Sequence, residues 1–170
     1  MCLACPGGKI FYTSASYRSY CVPDSHDWNF RSCSHDEVAV VDSIYGSDLR
    51  ATAKKGATCS ADGIVLDGND DYIDIDDWEW GGTTAIEVYV KYDTFNSHSR
   101  VFDFGNGESS DNFLLSNDGT SSTIASGVLQ GSRDKYLTTS NFDSATWTHV
   151  VVTVKDRSMT MYKNGVLVGT

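Results

Sequence analysis

The fold is decided by the stretch Trp147-Thr148-His149-Val150-Val151-Val152-Thr153-Val154-Lys155-Asp156-Arg157-Ser158-Met159-Thr160-Met161-Tyr162-Lys163-Asn164-Gly165-Val166-Leu167-Val168. It is the densest block of β-branched and aromatic residues in the chain. Trp147, His149, Val151 and Thr153 alternate with Thr148, Val150, Val152 and Val154, and a period of two is that of a strand. Residues 155–158 make the polar gap of a hairpin loop. A second strand, residues 159–163, then runs into Asn164-Gly165. Both residues tolerate positive φ, so the dipeptide predicts a type I′ turn and a third strand from Val166. Trp147, Val150, Val152 and Val154, together with Ile86 and Val88, are expected in the core. Strict alternation puts Trp147 and Val150 on opposite faces, so burying both needs a bulge or a strand covered on two sides.

Working outward, 170 residues are enough for an ordinary domain with a real core. Forty per cent apolar residues, with nine Tyr, seven Phe and four Trp, exclude a disordered chain. Only two Pro, many Gly, Ser, Thr and Asn, and little helical periodicity point to an all-β domain. The formal net charge is −10. Nucleic-acid binders gain affinity by neutralising phosphates with Lys and Arg, so that partner class is excluded, as is an anionic membrane surface. Surplus Asp and Asn on loops suits a divalent cation or simply a well-solvated surface. No apolar run approaches the ~20 residues of a spanning helix, and Met1-Cys2-Leu3-Ala4-Cys5-Pro6 is not a secretory leader.

Several further stretches read as strands. Trp28-Asn29-Phe30-Arg31 alternates aromatic and polar residues, Val38-Ala39-Val40-Val41-Asp42 follows, and residues 51–57 look like an Ala- and Gly-rich connection. Asp67-Gly68-Asn69-Asp70-Asp71-Tyr72 stands between the short apolar run Ile64-Val65-Leu66 and the alternating Tyr72-Ile73-Asp74-Ile75. It predicts a tight turn whose side-chain oxygens cap free amides. Residues 86–91, 100–105, 113–116 and 136–138 complete the set.

The pattern Trp147-x-His149-Val150 followed by Tyr162-x-Asn164-Gly165-x-x-Val168 resembles the central hairpin of laminin-G-like and pentraxin-like domains. The element around Asp67-Gly68-Asn69-Asp70-Asp71-Tyr72 is similar to a recurrent one of the same family. The resemblance covers about residues 26–170. It implies a concanavalin A-like jelly-roll sandwich of two antiparallel sheets, incomplete at the C-terminus because residues 168–170 end as a strand begins. The domain is expected over residues 25–170. Residues 1–24, with Cys2-x-x-Cys5-Pro6-Gly7-Gly8 and Cys21, resemble the start of a cysteine-rich module of the ephrin-receptor type, here a remnant. Disulfides Cys33–Cys59 and Cys5–Cys21 are expected, with Cys2 left over. Alternatively, all five cysteines are free thiols, or Cys2, Cys5, Cys21, His26, Cys33 and His35 supply a zinc site, although their spacings match no familiar finger.

Two constellations could carry chemistry. Asp111-Asn112 before Phe113-Leu114-Leu115 resembles the pentraxin loop whose Asp and Asn ligate calcium, and calcium wants six to eight oxygens. The resemblance therefore implies calcium at Asp111 and Asn112, with Glu108 or loop carbonyls beside them. Asp74-x-Asp76-x-x-Glu79 is similar to the bulged catalytic motif of laminarinase-type hydrolases. A retaining mechanism needs two carboxyls about 5–5.5 Å apart, but Asp74 stands where the nucleophilic Glu belongs. The expectation is an extracellular or cell-surface module that binds a glycan or another extracellular protein, with no nucleic acid and no membrane insertion. Its catalytic residues are expected to be none and its binding residues are not legible. A polysaccharide hydrolase and a non-binding spacer are the alternatives.

Overall fold

A computed structural model describes residues 9–13, 19–23, 26–33, 39–43, 46–77, 84–105, 111–129, 134–155 and 157–170. The described chain is all-β apart from one 3₁₀ turn, and it divides into two compact units, Met1–Trp78 and Glu79–Thr170.

In the first unit, β1 (Lys9–Thr13) pairs with β2 (Ser19–Pro23), and β3 (Ala39–Asp42), β4 (Gly46–Lys54) and β7 (Tyr72–Ile75) make a three-stranded antiparallel sheet. β5 (Thr58–Ser60) and β6 (Gly63–Val65) form a small hairpin. Two expectations are corrected here. Residues 28–31 are not a strand, because the Asn29 side chain accepts from the Arg31 amide at 3.2 Å and starts the 3₁₀ turn Phe30–Ser32. Residues 51–54 are not a connection either. Ala51 is fully buried between Val40 and Ile75 as the central strand of its sheet, where a small side chain is what the space admits. Cys33 and Cys59 are disulfide-bonded with Cα atoms 5.9 Å apart and a sequence separation of 26. In the chain-entropy model such a closure is worth roughly 3 kcal/mol. The Cys5–Cys21 pairing falls outside the described residues, as do its side chains.

The second unit is a sandwich. One sheet has the order β15-β14-β13-β8: β8 (Thr84–Val90), β13 (Thr148–Lys155), β14 (Ser158–Lys163) and β15 (Val166–Gly169). The other has the order β12-β11-β10-β9: β9 (Arg100–Phe104), β10 (Asn112–Asn117), β11 (Thr123–Leu129) and β12 (Lys135–Asn141). Val150, Val152 and Met161 of the first sheet meet Phe102, Phe113, Leu115 and Ile124 of the second, and Phe142 closes the cluster. Ile86, Val88 and Val154 are half-buried against it.

The second hairpin turn is as expected, while the first is tighter than the four-residue gap read from residues 155–158, because Lys155 and Ser158 are themselves paired across β13 and β14. Asn164 (φ +50°) and Gly165 (φ +78°) make the tight turn between β14 and β15. The same turn is tied back to β13, since Asn164 Oδ1 accepts from the His149 amide at 3.0 Å. Trp147, expected in the core, is corrected. It precedes β13 on the other face and stacks on Tyr89, ring centroids 5.0 Å apart and planes 7° from parallel. Alternation is kept without a bulge, and the aromatic takes the outer side. The sequence reading also missed β11. Its Thr-Ile-Ala-Ser-Gly-Val-Leu lacks the expected strand composition, yet it lies between β10 and β12.

Candidate functional site

β10 is buried from end to end, including Leu114 (2% exposed) and Ser116 (2%), whose side chains leave the face opposite to Phe113 and Leu115. The sheet's outer face therefore also holds structure. In register, Ser116 faces Arg100 on β9 and Ala125 on β11, while Leu114 faces Gly127 on β11. Tyr136 of β12 faces Gly127, and Thr138 faces Ala125. With His98 and Asp118 from the adjoining loops, these side chains line a groove of about 360 Å³. That volume is near the lower end for a small-ligand site.

The composition of β11 explains the groove. Ala125 and Gly127 lower its floor, and the Tyr136 ring lies over the gap that Gly127 leaves. A Cβ at Gly127 would stand 2.7 Å from Tyr136 Cε1 and 2.8 Å from Cδ1. The ring nonetheless stays 58% exposed, so one surface rests on the sheet and the rest is open. A strand glycine commonly marks such a close approach.

Polar groups converge around this floor. The hydroxyls of Ser116, Thr138 and Tyr136 and the carboxylate of Asp118 make no hydrogen bond to another described residue. Arg100 is fixed. Its Nε donates to Asp103 Oδ2 at 3.3 Å and its Nη1 to the His98 carbonyl at 3.1 Å, leaving Nη2 for a ligand. Asp103 is itself held, because its Oδ1 accepts from Asn112 Nδ2 at 2.8 Å. Behind the His98 loop, the Tyr92 hydroxyl donates to the Ser99 carbonyl at 2.8 Å, and burial pushes its phenol well above the ordinary tyrosine range.

The residues expected to act are placed elsewhere. Asp111 is exposed at φ +55° immediately before β10. Asn112 is buried (6% exposed) and turns its Nδ2 to Asp103, so its described role is to brace Arg100. Glu108 lies outside the described residues. A calcium ion there would use the Asp111 carboxylate and the Asn112 Oδ1, two of the six to eight oxygens required. Asp74 is exposed on β7 near Lys54 (3.9 Å), and Asp76 Oδ2 accepts from the Arg50 amide at 2.9 Å. Glu79 is outside the described residues.

The turn at residues 67–72 does what its composition predicts. Asp67 Oδ1 accepts from the Asn69 amide at 2.8 Å, and Asp71 Oδ2 accepts from the Asp67 amide at 2.9 Å. The Asn69 amide, followed by its side chain, holds the Asp67 carboxyl below the usual carboxylate range. Acidic oxygens of Asp67, Asp70 and Asp71 lie within 4.8 Å of one another as part of this turn.

The all-β sandwich thus carries a polar groove over one sheet, with an aromatic at its edge and small residues in its floor, an arrangement compatible with a carbohydrate-binding or glucanase-type module. The comparison with protein families agrees. The model of the laminin-G-like family described as the concanavalin A-like lectin/glucanases superfamily matches residues 67–170, and the chain belongs to that family. No curated protein and no solved structure gives a significant match. Laminin-G-like domains and disulfides are typical of extracellular proteins. Among the described residues, no helix is long and apolar enough to cross a membrane.

Reading residues alone missed every groove residue, because they sit on four strands and two loops that only the pairing register unites. One signal was present. Ser126-Gly127-Val128, a glycine inside an apolar run, precedes an isolated tyrosine, and that pair forms the floor and edge.

Proposed function

We propose that the protein is an extracellular recognition module that binds a carbohydrate, free or on a glycoprotein, in the groove over β9–β12. The observation that carries this is Tyr136 lying over Gly127 with much of its ring open, beside hydroxyls, a carboxylate and an arginine without protein partners at their ligand-facing atoms. A pyranose offers an apolar face of C–H groups to an aromatic ring and hydroxyls to exactly such donors and acceptors. Binding in a site of this size is expected to select one or two sugar units rather than a long chain. A glycan array probed with the protein is the test, and a positive signal that survives Tyr136→Ala would place the ligand elsewhere. An array without any positive sugar would leave the spacer reading.

Calcium enters the proposal at Asp111 and Asn112. They would hold the ion at the start of β10, next to the Asp103 brace of Arg100, and thereby make sugar binding calcium-sensitive. The expected result is heat on calcium titration by calorimetry that Asp111→Ala removes. No heat at millimolar calcium, or the same heat in Asp111→Ala, sinks the calcium part and leaves the groove untouched.

A further inference from the structure

Asn117 ends β10 at the inner side of the groove's loops, wholly buried. Its Nδ2 lies within hydrogen-bond distance of three backbone carbonyls, Asn96 at 2.9 Å, Gly119 at 2.8 Å and Ser121 at 3.0 Å, so that one of its two protons is shared between two acceptors. These carbonyls belong to two separate loops, one between β8 and β9 and one between β10 and β11. Three acceptors around one amide nitrogen fix the carboxamide's orientation, since a flip would set Oδ1 against three carbonyl oxygens. In that orientation Oδ1 is buried with no donor among the described residues. Buried polar atoms are nearly always paired, so this exception marks a side chain whose placement is dictated by its nitrogen.

The clamp has a consequence at the groove. The two loops are also joined by a reciprocal pair: the His98 amide donates to the Gly119 carbonyl at 2.7 Å, and the Gly119 amide approaches His98 Nδ1 at 3.4 Å. An imidazole that accepts at Nδ1 carries its proton on Nε2 when neutral. His98 (φ +52°) sits in the left-handed region that disfavours a non-glycine residue, whereas Gly119 (φ +56°) adopts it without steric cost. His98 and Asp118 line the groove from these two loops, and the His98 carbonyl also accepts from Arg100.

Resting on the groove reading above, we propose that Asn117 is the positioning residue of the site: by clamping both loops it presents His98 as an Nε2–H donor, beside Arg100, to an oxygen acceptor of the bound sugar, with Asp118 accepting from a neighbouring hydroxyl. Asn117 does not line the groove and touches no ligand.

The test uses the full chain with ¹⁵N-histidine and methyl glycosides of glucose, galactose and mannose as probes. In the unsubstituted protein, neutral His98 is expected as the Nε2–H tautomer, and the Asn117 side-chain amide protons are expected to exchange slowly. The Nδ1–H tautomer overturns the proposal without any variant being made. In Asn117→Ala, and in Asn117→Asp, which keeps the shape but loses the donors, the His98 tautomer preference should disappear. Affinity for whichever probe binds should fall about tenfold for the loss of one well-placed hydrogen bond. Sugar-induced shifts of the Tyr136 ring should persist at higher probe concentration. Asn117 variants with unchanged affinity and unchanged tautomer refute the positioning role while leaving the groove standing. If none of the probes shifts Tyr136 in the unsubstituted protein, the groove reading falls and this inference falls with it.

Discussion

The two sheets of the Glu79–Thr170 unit share one apolar layer but treat their outer faces differently. On β13, Thr148, Val150 and Val152 are buried and His149, Val151 and Thr153 are only half-buried, the alternation of a sheet with one wet side. On β10 all six residues are buried, and β11 is nearly the same. The outer face of β8 and β13 carries groups that bond to one another: Tyr89 is 59% exposed and stacked on Trp147, with Lys91 Nζ 5.7 Å from that ring and His149 bonded to Glu87 at 2.7 Å. These groups satisfy one another. On the outer face of β9–β12, by contrast, the side chains sink towards small residues and leave polar atoms without protein partners. Burial on both sides of a strand in a two-layer fold thus marks the side on which a concavity has been built.

That contrast can be broken in order of expected effect. Leu115 is fully buried in the shared layer, and Leu115→Ala should destabilise by about 2–5 kcal/mol through lost transfer energy and a residual cavity. Urea denaturation measures it, and a loss below about 1 kcal/mol would mean the layer is looser than this packing implies.

Gly127→Ala acts on the outer face alone. The new methyl would collide with the Tyr136 ring, but that ring is exposed and can swing away. The stability change should therefore stay near ~1 kcal/mol, the low end for overpacking, while glycan binding drops sharply. Equal losses of stability and binding would make Gly127 a core residue and not a groove residue.

Tyr92→Phe has the smallest effect. It removes the hydroxyl bond to Ser99 and should cost about 1 kcal/mol. The pH dependence sharpens it. Tyr92's folded pKa is raised by burial, so its contribution is fully present below the ordinary tyrosine value of about 10 and is lost as pH rises through the folded value. Alkaline melting curves of the protein and of Tyr92→Phe should converge as pH rises. Curves that stay parallel would show that Tyr92 does not titrate on unfolding.

The same contrast explains what was legible in the residues. The β13–β15 meander could be read because its faces differ, with Val against Thr and His, and because Asn164-Gly165 permits few other turns. The turn at residues 67–72 was legible for a similar reason, since its Asp and Asn bond backbone amides only a few positions away. β11 was not, because a strand buried on both sides under a groove needs small residues, and Ala125, Ser126 and Gly127 read locally as a loop. Trp147 misled for the opposite reason: its size suggested the core, whereas its parity put it beside Tyr89. The groove combines Arg100, Ser116, Ala125, Tyr136 and Thr138 through cross-strand register, which no local spacing encodes. Asn112 was expected as a calcium ligand only through the family resemblance, and its hydrogen-bond partner Asp103 became visible only once β9 lay against β10.

The central claim is that the ligand sits on the β9–β12 face and not on the β8–β13 face. The direct measurement is glycan affinity for Tyr136→Ala beside Tyr89→Ala, each an exposed tyrosine on the outer side of its own sheet. The account predicts that Tyr136→Ala weakens binding roughly tenfold or more, as loss of an aromatic stacking contact should, and that Tyr89→Ala binds like the unsubstituted protein. Loss of binding in Tyr89→Ala with Tyr136→Ala unaffected would contradict it and move the site to the Tyr89–Trp147 face.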